Sequence, residues 1–335
     1  MARWAWATCM AGALVACGGG GGSSGGSATP SAADTRNGAY TMMAADGREY
    51  SLTLNFDAKS YQVTGNAIDQ SGAFQANGAA FEFLPANAVG ATGTSTTRFS
   101  YAADTVVGEF AVATGAVPFI ASRTFATSLP TTTMTFNMLG RTFDTAAGTA
   151  DTTIQQGQIT SDGRILTCDD IGIFEVANCP AGSTTTGTLT ISGSVITAAT
   201  SSGNVLYRIA TVGSDKVLLR ASQSLGTTRR FVVGLPASST FAGGTFVGGT
   251  TEPAWGSATL GTTFSTTGTS PAGVTTTRSG TAAPVGTGNS LANLLAISTS
   301  NAGSYFATAS AQLGVVVSAR GNAAAPGFMA IGVRQ

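Results

Sequence analysis

The side chains best suited to chemistry in this sequence are its acids and its four cysteines, because histidine is absent altogether. Without an imidazole there is no Ser-His-Asp or Cys-His nucleophile, no His-ligated zinc and no histidine pH switch. Only Lys59 and Lys216 could serve a Ser-Lys dyad, so catalysis would fall to carboxylates, tyrosine or serine. Glycoside hydrolysis needs two carboxyls facing each other across about 5–9.5 Å. Glu49, Glu82, Glu109, Glu175, Glu252 and the aspartates show no spacing that marks such a pair. Asp144-Thr145-Ala146 and Asp104-Thr105-Val106 lack the glycine that an aspartic protease carries after Asp-Thr or Asp-Ser. There is no G-x-S-x-G elbow with a histidine to serve it and no phosphate-binding loop. GxGxxG-like spacings arise by chance among 45 glycines and carry no weight. The reading is a chain with no catalytic residue, no metal site and no cofactor.

Cys168 and Cys179 flank DDIGIFEVAN. In an oxidising compartment two cysteines this close form a disulfide, since the spacing is not C-x-x-C and no histidine can complete a metal set. Closing a loop of this size stabilises by about 3 kcal/mol in the chain-entropy picture. Asp169, Asp170 and Glu175 place three carboxylates inside the loop, which could hold Ca²⁺. The D-x-D-x-D-G pattern is missing, and they read instead as solvated acids. Trp255, in GGTTEPAWGSATLG, sits in a turn-rich setting beside Glu252 and Pro253 and is the candidate aromatic contact for a ligand, although core packing is the commoner fate of a tryptophan.

The remaining cysteines lie at the amino terminus. Met1, Arg3 and the apolar run WAWATCMAGALVA read as a secretion signal over residues 1–16, too short to span a membrane as a mature helix. The run closes on Leu14-Val15-Ala16-Cys17, which resembles the lipobox of bacterial lipoproteins. The resemblance covers about the first seventeen residues and implies cleavage before Cys17, with acyl chains on its sulfur and new amino group. Gly18 in place of aspartate implies, by the same resemblance, export to the outer membrane. Several acyl chains anchor stably, because each buried methylene contributes about 0.8 kcal/mol. Cys9 would leave with the signal. Residues 17–33 then carry the lipid and a Gly/Ser tether, with a root-mean-square reach of about 20–25 Å.

The elements beyond the tether must be strands. Charged residues are 10% of the chain and hydrophobic ones 43%, with glycine, threonine and serine throughout. That composition suits an all-β protein with many short turns. EYSLTLNF (49–56) puts Tyr50, Leu52, Leu54 and Phe56 on one face, and SYQVTGNAI, TTMTFNML, GTLTISGSVIT and KVLLRAS behave similarly. Turns at Asp46-Gly47, Asp162-Gly163 and Gly213-Ser214 separate them. SLANLLAIS (290–298) alone hints at a helix and stays ambiguous. Thr-rich strands such as TGTLT repeat too irregularly for an ice-binding ladder.

A weak repeat sharpens the organisation. Tyr207 leads into VLLRAS (217–222) and FVVGLP (231–236), as Tyr305 leads into VVVSAR (315–320) and FMAIGV (328–333). GEFAVATGAVPFIASRTF (108–125) has the same flavour, and ADGREYSL and SDGRILTC share a hairpin turn. The expectation is all-β, antiparallel barrel or sandwich modules: a β-rich region over 34–237 with a boundary near 135, then a C-terminal module over 238–335.

Sixteen basic residues balance sixteen acidic ones, which removes the basic stripe a nucleic-acid partner requires. The functional expectation is an outer-membrane envelope lipoprotein, anchored by lipid, that binds a protein, glycan or small apolar ligand or plays a structural part. The alternative is a carboxylate-dependent hydrolase of envelope or extracellular polymers.

Overall fold

A computed structural model of the chain describes residues 32–84, 97–112, 115–170, 172, 175–221, 227–237, 240–252, 254–270, 273–285, 291–300 and 303–335. The signal segment, Cys17 and most of the tether lie outside the described residues. The body beginning at Asp34 forms one compact unit.

Its strands close into three antiparallel barrels, each a meander of eight. The first runs β1 (Gly38–Ala44), β2 (Arg48–Asn55), β3 (Ser60–Gly65), β4 (Ile68–Asn77), β5 (Ala80–Phe83), β6 (Arg98–Ala102), β7 (Thr105–Val112) and β8 (Gly115–Ser122). The second runs β9 (Met134–Asp144), β10 (Thr149–Ile159), β11 (Arg164–Cys168), β12 (Thr184–Ser192), β13 (Val195–Thr200), β14 (Gly203–Val212), β15 (Asp215–Ala221) and β16 (Thr228–Pro236). The third runs β17 (Gly244–Thr250), β18 (Trp255–Leu260), β19 (Thr263–Thr269), β20 (Thr275–Pro284), β21 (Leu294–Thr299), β22 (Ser304–Ala309), β23 (Leu313–Ser318) and β24 (Met329–Arg334). In each, the first strand pairs with the last, which removes the open edges through which sheets aggregate. An eight-stranded barrel is just wide enough to be filled by its own side chains or to hold one small ligand.

Strand periodicity decides which face each residue takes. Along β2 buried and exposed residues alternate strictly, with Tyr50, Leu52 and Leu54 inside and serine, threonine and asparagine in solvent. Other strands are apolar on both faces. Val217 and Leu219 of β15, Val315 and Val317 of β23, and Met43, Val107 and Ile120 of the first barrel all belong to one buried cluster that the three barrels share. Leu218 and Val316, one residue away, face their own barrel interiors. The unbroken apolar runs VLL and VVV therefore mark where barrel packs on barrel.

Polar contacts reinforce those junctions. Arg208 and Glu49 form an ion pair of 2.8 Å between the second and first barrels. Asn137 donates to the Ala292 carbonyl at 2.6 Å, and Thr152 to that of Ser318 at 2.8 Å, tying the second barrel to the third. The backbone N–H groups of Thr250 and Ala254 donate to Glu109 Oε1 at 3.0 Å, tying the third to the first.

Tyr207 lies on β14 and Tyr305 on β22, each the sixth strand of its barrel, and the segments that resemble each other after them are the seventh and eighth strands. The segment 108–125 likewise covers the seventh and eighth strands of the first barrel. The two Asp-Gly turns share a local shape, with Gly47 at φ 77° and Gly163 at φ 78°. They are not equivalent, because one joins the first and second strands of its barrel and the other joins the second and third. Residues 291–293 form a turn rather than a helix. Asn293 takes φ 65°, and its side-chain amide donates to the carbonyls of Pro236 and Ala309 at 3.0 and 2.7 Å.

Candidate ligand cavities

The interior of the third barrel holds a cavity of about 320 Å³. Its shape follows from a row of glycines. Gly314 pairs with Gly332, Gly332 with Gly248, Gly248 with Gly256 and Gly256 with Gly268, so five neighbouring strands carry glycine at one level. Glycine inside a strand costs about 0.5–1 kcal/mol relative to alanine, and its usual reason is bending or close backbone approach. Both hold here. A Cβ on Gly248 would lie 1.8 Å from the Ile331 carbonyl oxygen, and one on Gly256 would lie 1.9 Å from that of Thr267. The row lets the sheet curl tightly and leaves open the space that side chains would fill.

Around this space stand Phe246, Leu260, Val316, Phe328 and Ala330, with Glu252 and Arg278 as the charged pair. Arg278 Nη2 lies 2.5 Å from Glu252 Oε2, and the guanidinium sits 5.3 Å from the Phe328 ring centroid. Tyr305 is fully buried beside it, edge-on to Phe328 at 5.5 Å, and its hydroxyl has no hydrogen-bond partner among the described residues. Burial pushes the Tyr305 hydroxyl pKa up, and the Arg278 charge pulls it partly back. At the rim, Val274 is 62% exposed, the one large apolar side chain among the described residues that stands out in solvent.

A second cavity, of about 670 Å³, opens at one end of the second barrel and is lined by hydroxyls, Gln155 and three arginines. The opposite half of that barrel is filled by Phe136, Met138, Ile159 and Leu218. Arg230 lines the opening, while Arg229 on the other face of β16 lines a groove beside Gly47 of the first barrel. The adjacent arginines therefore point apart.

Cys168 and Cys179 are joined as a disulfide with Cα atoms 5.6 Å apart. The bridge fastens the end of β11 to a short 3₁₀ helix, Val176–Asn178. The acids between them do not converge. Asp169 lines the second cavity, Asp170 accepts from the Gly172 N–H and the Ser183 hydroxyl, and Glu175 accepts from the Asn178 amide. Among the described residues no group of three or more potential ligands gathers to hold a metal.

Trp255 opens β18 and is 8% exposed. Its neighbours Ala254 and Gly256 line the third-barrel cavity and Trp255 does not, because alternation turns it outward, opposite Gly249 at the junction with the first barrel. Glu109 of the first barrel fills the notch at Gly249, where a Cβ would lie 2.2 Å from Glu109 Cγ. Burial pushes the Glu109 carboxyl up to about 7, against the pull of the two backbone N–H groups that bind it.

The sequence pattern did not single out Arg278, the glycine row or Arg220. A signal for the row existed: glycines interrupt FVGG, WGSA, TTGT, LGVV and AIGV, where a strand pattern would otherwise carry side chains. No helix among the described residues is long and apolar enough to cross a membrane. Comparison with protein-family models, curated proteins and solved structures finds no match.

Proposed function

We propose that this protein is an outer-membrane lipoprotein, anchored through acylated Cys17, whose barrels bind rather than catalyse, and that the third barrel receives a small apolar molecule with one polar end. The observation that carries this reading is the hollow lumen behind the glycine row, with apolar walls and one ion pair. Ligand sites are mostly apolar concavities with a few placed polar groups that fix orientation. Arg278 is the group to fix a polar end, held by Glu252 and braced on Phe328. Val274 gives the rim an apolar step through which such a ligand would enter.

The anchor follows from the lipobox and is tested separately: Cys17→Ala should leave the chain unacylated and released from membranes. Released Cys17→Ala protein would then be titrated with an apolar fluorescent reporter. Saturable binding that Ala330→Phe abolishes, with the fold intact, is the expected result. Binding unchanged by Ala330→Phe would refute the lumen as the site. Turnover of glycosidase or esterase substrates that a single Asp or Glu substitution abolishes would establish the hydrolase reading instead.

A further inference from the structure

Arg220 of β15 points into the open end of the second barrel, beside Tyr207, with its guanidinium 5.9 Å from the ring centroid. It has no ion-pair partner within 4.0 Å among the described residues, and its Nε is buried without a hydrogen-bond acceptor. Burial, joined by the neighbouring Arg230 charge, pulls its pKa below the ordinary value, and Tyr207 and then Asp169 offset this only in part. Arg220 is half-buried, and a guanidinium whose Nε is shut from water without an acceptor is unfavourable unless something completes it. Arg334 is no exception to that rule, because its two terminal nitrogens donate to backbone carbonyls of residues 242, 243 and 310.

The surroundings say what would complete Arg220. A guanidinium fork matches a carboxylate with two parallel hydrogen bonds. Thr153, Thr167 and Gln155 face the same space, and Asp169 adds a carboxylate acceptor. Hydroxyls, an amide and a carboxylate are what the hydroxyl groups of a sugar need, and an aromatic ring suits the face of a pyranose. Three arginines against two aspartates leave one net positive charge on the described lining. That balance matches one carboxylate better than a doubly charged phosphate. The volume falls inside the range of sites that enclose small ligands.

We propose that the open end of the second barrel binds a polyhydroxylated carboxylate of the uronic acid class, its carboxylate on Arg220 and its hydroxyls on the threonine, Gln155 and Asp169 side chains. This site is independent of the third-barrel lumen: it lies in another barrel and takes a ligand of opposite polarity. The free sugar acid and the uronate end of an acidic glycan present the same chemistry, and the test separates them.

Full-length protein in detergent micelles would be titrated calorimetrically with glucuronate, glucose, glucose 6-phosphate and a tetra-uronate. Saturable glucuronate binding is expected, at least tenfold tighter than glucose. Arg220→Gln should weaken it at least tenfold, and Arg220→Lys should not restore it fully. Tighter binding of the tetra-uronate would identify a glycan end as the natural form, and binding of the monomer alone would identify the free acid. Removing a half-buried charge with no ion-pair partner should leave the thermal midpoint of Arg220→Gln, without ligand, equal to or above that of the parent. A midpoint well below the parent would make the arginine structural and overturn the proposal. So would equal binding of glucose and glucuronate, a preference for the phosphate, unchanged affinity in Arg220→Gln, or no binding of any of the four.

Discussion

The first and third barrels share one topology and have opposite interiors. In the first, Phe56, Phe74, Phe81, Phe83, Phe99 and Phe110 pack with Tyr61 and Tyr101, with centroids 4.6–6.4 Å apart. In the third, the corresponding space is partly empty. Both barrels use glycine, but in different company. Gly108 of the first barrel pairs with Phe99 and Phe119, and a Cβ there would lie 2.8 Å from the Phe119 ring. Glycine beside a ring is a packing device, because the ring takes up the missing volume. Across the third barrel glycine faces glycine, and only Phe246 leans over Gly314 and Gly332. Glycine beside glycine curls the sheet and leaves a lumen.

That contrast can be broken from either side. The largest effect is expected in the filled barrel, where Phe99→Ala should cost about 3–5 kcal/mol in denaturant unfolding, the usual range for a buried phenylalanine. Loss below about 1 kcal/mol would mean that the aromatic cluster is not tightly packed. In the hollow barrel the sensitive change is addition. Gly248→Ala has no room for its methyl against the Ile331 carbonyl and should cost about 1–3 kcal/mol or more by the same measurement. A silent Gly248→Ala would show that the row does not set the curvature.

The junction between these two barrels offers a smaller, pH-dependent test. The Glu109 carboxyl holds its proton more tightly in the folded chain, with a pKa of about 7 against an ordinary 4.5. Its contribution is therefore most favourable at low pH, declines as pH rises between those two values, and is level above about 7. Glu109→Gln keeps the acceptor for Thr250 and Ala254 but cannot ionise. The parent should lose more thermal stability than Glu109→Gln between pH 5 and pH 8, and identical pH profiles would contradict a buried, proton-holding carboxyl. The smallest effect is expected on the outer surface, where the Thr269 and Thr275 hydroxyls lie 3.1 Å apart in solvent. Thr269→Ala should change stability by no more than about 0.5 kcal/mol.

The all-β class and the barrel-or-sandwich alternative were legible because strands such as β2 alternate strictly, and closure into barrels adds what alternation alone does not specify. The Cys168–Cys179 pairing was legible from spacing, since an eleven-residue separation can close without distorting the strand that precedes it. Runs such as VLL and VVV showed strands but not their purpose. Burial on both faces depends on which barrel lies outside, and that is a long-range fact. Trp255 stayed open between ligand contact and core packing because its turn-rich context allows both, and its parity on β18 turns it away from the lumen into a buried position. The cavities were hidden because an empty lumen is written in residues that are absent, and because Arg220 meets Tyr207 only through pairing of strands that a linear reading treats one at a time.

The most direct measurement is methyl NMR of the Cys17→Ala chain during titration with an apolar reporter, following Val316 and Leu260 in the third barrel against Val63 and Val106 in the first. Shifts confined to Val316 and Leu260, and lost in Ala330→Phe, are the expected result. Shifts spread equally over both barrels, or none at saturating reporter, would contradict a third barrel that is hollow and receives a ligand.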